Sequence, residues 1–242
     1  MARQSRPAAP LPVLITRPEP QASRFAADLA AQLGDTVVPI LSPLMEQVTL
    51  SPPLPAARAL VLTSESAVLA VAGREPLPDR AYCVGSLTAA AVRAAGLQAI
   101  SAEGDVAALA DLLSAQGETG PLLWLRGADV AGDLAGATAR QGIPLMQATV
   151  YRQEARPLSD AARSLLSGRG PVIVPLFSPR SARLFLKEAA GALAELHLCA
   201  LSPAVDAAVR SLPAASRRIA DRPTGGALLE TISETARALL SA

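Results

Sequence analysis

Ala59-Leu60-Val61-Leu62-Thr63-Ser64 is an unbroken apolar run that closes on two hydroxyls, and Ser66 to Ala72 follows it at helical spacing. Such a segment reads as a strand buried on both faces, a tight turn and a helix. The same unit recurs along the chain. Strands are predicted at Val13–Thr16, Ala59–Thr63, Ala81–Val84, Gln98–Ser101, Leu122–Leu125, Val172–Phe177, Leu196–Leu201 and Arg217–Ala220. Helices are predicted at Gln21–Leu33, Ser66–Ala72, Thr88–Ala95, Val106–Ala115, Val130–Gln141, Arg180–Ala190, Ala204–Leu212 and Gly226–Leu240. This βαβα alternation specifies an α/β fold of parallel sheets wrapped by helices.

The units also repeat as a set. Leu176-Phe177-Ser178 matches Leu62-Thr63-Ser64 at an offset of 114 residues, and Cys199-Ala200-Leu201-Ser202 matches Cys83-Val84-Gly85-Ser86 at 116. Ala227-Leu228-Leu229-Glu230 matches Ala108-Leu109-Ala110-Asp111 at 119, and Leu122 to Arg126 matches Val13 to Arg17 at 109. Order is kept while the offset drifts slowly, as loop insertions produce, so two similar lobes are expected. Each repeat carries an extended stretch after its first βα unit, 37–44 in one and 145–153 in the other. With Pro39 and Pro43 in the first and Thr149-Val150-Tyr151 in the second, these read as connector strands that pair side by side. Two lobes so joined enclose a cleft, and ligands of such sheets bind outside the carboxyl ends of the strands.

Composition narrows the chemistry. The chain has 242 residues, 50% hydrophobic and 18% charged, too apolar for disorder and without a membrane-length apolar run. Its 22 basic side chains, all arginine except Lys187, oppose 21 acidic ones for a net charge of +1. No broad field therefore invites nucleic acid or an anionic membrane surface. Arg3 and Arg6 precede an apolar stretch, Leu11 to Ile15, too short and proline-broken for a signal peptide, so a cytoplasmic location is expected. One histidine, His197, and two separated cysteines, Cys83 and Cys199, make neither a zinc site nor a disulfide framework. Neither a G-x-G-x-x-G nor a Walker loop is present, so no dinucleotide, ATP or metal cofactor is expected.

The predicted strand ends share a chemistry: Thr16-Arg17, Thr63-Ser64, Gly85-Ser86-Leu87-Thr88, Arg126-Gly127, Ser178-Pro179-Arg180, Ser202-Pro203 and Arg222-Pro223-Thr224. Each hydroxyl alone reads as a helix N-cap. Together they offer hydroxyls, helix N-termini and guanidinium forks with almost no carboxylates, which suits a ligand bearing many carboxylates or phosphates.

Leu14-Ile15-Thr16-Arg17-Pro18, Leu62-Thr63-Ser64-Glu65-Ser66-Ala67-Val68, Val84-Gly85-Ser86-Leu87-Thr88-Ala89, Leu125-Arg126-Gly127, Val150-Tyr151, Phe177-Ser178 and Pro223-Thr224 resemble, in order and spacing, the uroporphyrinogen-III synthase family. The likeness runs from about Val13 to Ile232, with Ser66 where the family often has Asn. It implies two flavodoxin-like lobes, the first discontinuous (1–36 plus 154–242), the second 45–144, with the connectors as hinge. It also implies a cofactor-free monomer that closes hydroxymethylbilane, a linear tetrapyrrole, to uroporphyrinogen III while inverting the last ring. Such an enzyme steers a reactive substrate by positioning, consistent with a chain poor in histidine and clustered acids.

Within that resemblance Tyr151 is the candidate catalytic residue, its phenol assisting departure of the substrate hydroxyl. Thr16, Arg17, Ser64, Gly85, Thr88, Arg126, Ser178 and Thr224 are the candidate substrate contacts, with Arg152, Arg180 and Arg222 weaker ones and Trp124 a core residue. Two rival readings remain at this level. Cys83 and Cys199 occupy equivalent repeat positions, as a two-thiol amino-acid racemase requires, and a two-lobed anion-binding protein would share the architecture without turnover.

Overall fold

The computed structural model describes residues 9–74, 76–130 and 132–241, and Arg3 and Arg6 lie outside them. The chain forms two units, Met1–Glu46 with Ala155–Ala242, and Gln47–Glu154.

The first unit contains β1 (Leu11–Ile15), α1 (Gln21–Leu33) and β2 (Val37–Leu41). The second follows with β3 (Met45–Thr49), β4 (Ala59–Leu62), α2 (Glu65–Val71), β5 (Arg80–Cys83), α3 (Ser86–Ala94), β6 (Gln98–Ser101), α4 (Val106–Ala115), β7 (Leu122–Gly127), α5 (Leu134–Arg140) and β8 (Leu145–Ala155). The chain then completes the first unit with α6 (Asp160–Ser167), β9 (Pro171–Leu176), α7 (Pro179–Glu188), β10 (Glu195–Ala200), α8 (Pro203–Ala207), β11 (Ser216–Ile219) and α9 (Gly225–Leu240).

Among the described residues the first sheet has the order β11-β10-β9-β1-β2 and the second β3-β8-β7-β4-β5-β6. β1 pairs in parallel with β2 and β9, as do β10 with β9 and β11. β4 with β5 and β7, β5 with β6, and β7 with β8 are parallel too. Counted within the first unit, the order is 2-1-3-4-5, that of flavodoxin-like sheets. The repeats map strand for strand: β9 onto β4, β10 onto β5, β11 onto β6 and β1 onto β7. The second unit is thus the same spatial pattern entered at a different strand.

Both faces of each sheet are covered. Along β4, Leu60 and Leu62 face one core cluster with Ala67, Val68 and Val71 of α2, while Ala59 and Val61 face another with Leu109 and Leu113 of α4. In β1, Val13 and Ile15 pack with Phe25 and Leu29 of α1 and with Leu228 and Ile232 of α9, whereas Leu14 turns to the opposite cluster. This is why the strands read as continuous apolar runs instead of alternating ones. Each such fully buried Leu or Val contributes about 1.5–3 kcal/mol over its exposed state. No helix among the described residues is long and apolar enough to cross a membrane.

Four local features differ from the sequence expectation. The stretches 37–44 and 145–153 are not one paired connector: Val37–Leu41 is hydrogen-bonded to β1 along its length, and the strand beside β8 is β3. Pro39 is tolerated in β2 because that strand is a sheet edge, where a missing N–H costs no ladder bond. The helix expected over Val130–Gln141 begins only at Leu134, where the Asp133 carboxylate accepts from Gly136 N at 2.9 Å. The helix expected over Ala204–Leu212 stops at Ala207. The Arg217 guanidinium donates to the Val209 carbonyl at 2.9 Å and to that of Leu212, which fixes this stretch in non-helical turns. α6, capped by Ser159 on Ala162 N at 3.3 Å, was not predicted.

Candidate active site

In an open parallel sheet the strand order reverses at one point, and the carboxyl ends flanking it splay apart to leave a crevice. In the second unit those strands are β4 and β7. At that end lies a cavity of about 790 Å³ whose wall includes Thr63, Ser64, Val84, Gly127 and Tyr151.

Ser64 leaves β4 in an extended conformation and caps α2, its Oγ accepting from Ser66 N at 3.2 Å. A capping hydroxyl uses a lone pair, so its own proton remains available to an acceptor. Thr63 Oγ1 accepts from the indole N–H of Trp124 at 3.4 Å. Trp124 is buried, as expected, and its ring also carries Arg126, whose guanidinium carbon lies 5.6 Å from the ring centroid. The Arg126 Nε is buried with no hydrogen-bond partner. Gly85, the N-cap of α3, faces open space: a Cβ there would meet nothing within 4 Å. Thr88, one turn into α3, is buried. Gly85, Thr88 and Arg126 stand beside the cavity residues in sequence but are not in its wall.

Tyr151 enters through an irregularity in the ladder. Arg126 pairs with Thr149, and Gly127 pairs with Tyr151, so β8 holds an extra residue at the bulge. Ala128 N donates to the Tyr151 carbonyl at 2.9 Å and closes the pairing beyond it. The half-buried ring then lies over the side-chain-free face of Gly127.

The first unit repeats the arrangement at the ends of β1 and β9. Thr16 is buried, and its carbonyl accepts from Leu44 N at 3.0 Å. Arg17 stacks on Phe177 at 4.1 Å from the ring centroid, again with a buried, unpartnered Nε. Burial lowers the Arg17 pKa, though not enough to discharge a guanidinium. Ser178 caps α7 by accepting from Ser181 N at 3.1 Å, and Thr224 caps α9 by accepting from Ala227 N at 3.3 Å. Arg222 is exposed, and Arg152 pairs with Glu154 at 2.6 Å.

Sequence reasoning missed the acidic part of the wall: Asp105, Asp129 and Asp133 come from the loops after β6 and β7, with Arg140 nearby. Asp105 accepts from Ala107 N and Ala108 N at 2.9 and 3.1 Å, so it and Asp133 serve as helix caps. An Asp directly before an apolar helical run, as at Asp105, is the signal that reveals such a cap.

The remaining reactive groups are structural. Cys83 and Cys199 are fully buried in β5 and β10, and burial pushes both thiols up to about 11, the opposite of what a thiolate base needs. The racemase reading is therefore not favoured. His197 is buried in β10 with Nδ1 2.8 Å from Ser216 Oγ, and burial lowers its pKa, with Glu195 opposing. Among the described residues no group of three or more His, Cys, Asp or Glu side chains could hold a metal ion.

Comparison with known proteins agrees with this architecture. The uroporphyrinogen-III synthetase of Helicobacter pylori 26695 is 17% identical, with 93% of this chain and 99% of that one covered at a TM-score of 0.62, which shows a shared fold. A mutant uroporphyrinogen III synthase from the extremely thermophilic bacterium Thermus thermophilus is 16% identical over 96% of this chain and 100% of that one, with a TM-score of 0.47. Among curated proteins no match is found. The family model for Uroporphyrinogen-III synthase HemD matches residues 23–230. With most of its length inside that model, this chain belongs to the uroporphyrinogen-III synthase family.

Proposed function

We propose that Tyr151 and the two strand-end arrays carry out the family's reaction, closure of hydroxymethylbilane to uroporphyrinogen III with inversion of the last ring and loss of water. The substrate brings eight carboxylates, four acetate and four propionate. Its terminal pyrrole nitrogen expels the hydroxyl, which takes the Tyr151 phenolic proton and leaves as water. The resulting azafulvene is attacked by the substituted carbon of the last ring. The spiro intermediate fragments and recloses with that ring inverted, and the proton released on rearomatisation restores the phenol.

The chemistry asks the protein for orientation and for one proton donor at the departing oxygen. The observation that carries the reading is the Tyr151 phenol in the cavity wall beside the Thr63-Ser64 strand end. Ser64, Gly85, Thr88 and Arg126 form one carboxylate-binding array, and Thr16, Arg17, Ser178 and Thr224 form the other. Arg17 and Arg126 are the stronger members, because each carries a planar fork that matches a carboxylate and lies against an aromatic ring. The chain acts as a cytoplasmic monomer in this reading: its cysteine-poor composition supports the reducing compartment, and the family resemblance supports the monomer.

The test is turnover of freshly prepared hydroxymethylbilane, with chromatographic separation of type I and type III products. Tyr151→Phe is expected to lower type III formation about 100-fold with the fold intact. Unchanged kinetics would remove Tyr151 from the mechanism, and a wild-type chain yielding type I alone would refute the activity.

A further inference from the structure

We infer that Gly127 is a positioning residue for the reaction, kept free of a side chain so that the Tyr151 phenol can occupy its place in the cavity wall. The inference rests on the catalytic reading of Tyr151. A Cβ built on Gly127 would stand 2.6 Å from Tyr151 Cζ, 2.8 Å from Cε2 and 2.9 Å from the phenolic oxygen. Carbon contacts that close do not persist, so a side chain at 127 and this ring position exclude one another.

The backbone does not account for the glycine. The glycines with positive φ are Gly34, Gly73, Gly96, Gly117, Gly120, Gly132, Gly142 and Gly191, and Gly127 is not among them. Its conformation is open to any residue, and it is buried within β7. Glycine inside a strand carries an entropic cost and commonly marks a bulge or a close approach. Both are present here: the register shifts between Arg126 and Gly127, and the extra residue sets Tyr151 opposite Gly127.

The atoms that would collide belong to the outer end of a side chain, not to backbone. An alanine is therefore accommodated by rotation of the Tyr151 ring about χ1 and χ2, with the strand pairing through Ala128 N and the Tyr151 carbonyl retained. The fold survives and the phenol moves. This separates Gly127 from a glycine needed only for packing.

The experiment uses the full chain and compares wild type, Gly127→Ala, Tyr151→Phe and the double variant. Gly127→Ala is expected to lower kcat by roughly the factor expected for Tyr151→Phe, about 100-fold, with KM changed less than about twofold. In the Tyr151→Phe background the same substitution is expected to cost almost nothing further. Wild-type kcat for Gly127→Ala, or an equal loss in both backgrounds, would overturn the inference. A readout independent of turnover comes from 3-fluorotyrosine, since the chain has only two tyrosines, Tyr82 and Tyr151. Gly127→Ala should shift the fluorine resonance of Tyr151 and leave that of Tyr82 in place, and an unshifted Tyr151 resonance overturns the proposal. If Tyr151→Phe keeps full activity while the resonance still moves, the catalytic reading of Tyr151 has failed and the steric coupling has not.

Discussion

The guanidinium carbon of Arg17 lies 4.1 Å from the centroid of Phe177, and that ring meets Phe25 edge-on at 4.8 Å and 88°. The cation rests on a ring that is itself braced by the α1 core. Arg126, 109 positions further on at the matching strand end of the second unit, has its guanidinium carbon 5.6 Å from the ring centroid of Trp124, two residues back on β7. The guanidinium is planar by delocalisation, and stacking directs its edge in a way a lysine ammonium cannot reproduce.

Arg17→Lys keeps the charge and loses the fork. It is expected to raise KM for hydroxymethylbilane on the order of tenfold, the loss of one charge-assisted contact, while the melting temperature stays within a few degrees. Arg126→Lys should act in the same direction. Steady-state kinetics on both variants decide the matter, and unchanged KM values would assign the stacks to structure alone.

Ser178 combines a cap with a candidate contact, and the two roles can be separated. Ser178→Ala removes the acceptor for Ser181 N and should cost about 1 kcal/mol of stability. Ser178→Asp retains an N-cap acceptor and adds negative charge at the start of α7, which the helix tolerates. Its stability should match wild type, while repulsion of the substrate carboxylates lowers kcat/KM by tenfold or more. Chemical denaturation together with kinetics tests the pair. Full activity in Ser178→Asp would exclude a carboxylate beside this residue.

Cys83 and Cys199 supply a pH prediction. Burial raises each thiol from 9.0 to about 11, so the folded state holds these protons more tightly than the unfolded chain. The resulting stabilisation is fully present below pH 9 and is lost as pH rises through about 11. It amounts to roughly 2–3 kcal/mol per thiol. Urea denaturation at pH 8 and pH 10.5 should therefore show a smaller alkaline loss for the Cys83→Ala/Cys199→Ala variant than for wild type. The native thiols should resist alkylation at pH 8, and the double variant should keep its activity.

The parallel strands were legible because burial on both faces writes them as continuous apolar runs. Ala59–Leu62 and Leu122–Gly127 are examples, and Gln21–Leu33 and Val106–Ala115 emerge as helices with the bounds expected. The repeat was legible because equivalent strands face equivalent layers. What escaped detection depended on distant partners. Val37–Leu41 joins the first sheet because β1 offers it a ladder, and Arg217 takes carbonyls after α8 from several residues away. Asp105 is legible as a cap before its apolar helix, but that it shares one cavity wall with Asp129 and Asp133 follows only from the convergence of the loops.

Local chemistry thus settled the α/β class, the two-lobed repeat and the collection of hydroxyls and arginines at strand ends. The first and last follow from periodicity or residue type within a few positions, and the repeat from the same short motifs recurring in order at offsets of 109 to 119 residues. Folding alone decided which strand ends flank the reversal in each sheet, that Arg17 lies on Phe177, and that Gly127 leaves room for the Tyr151 ring. Those relations join residues on different strands, so they are set by strand order, ladder register and close packing, which no local window contains.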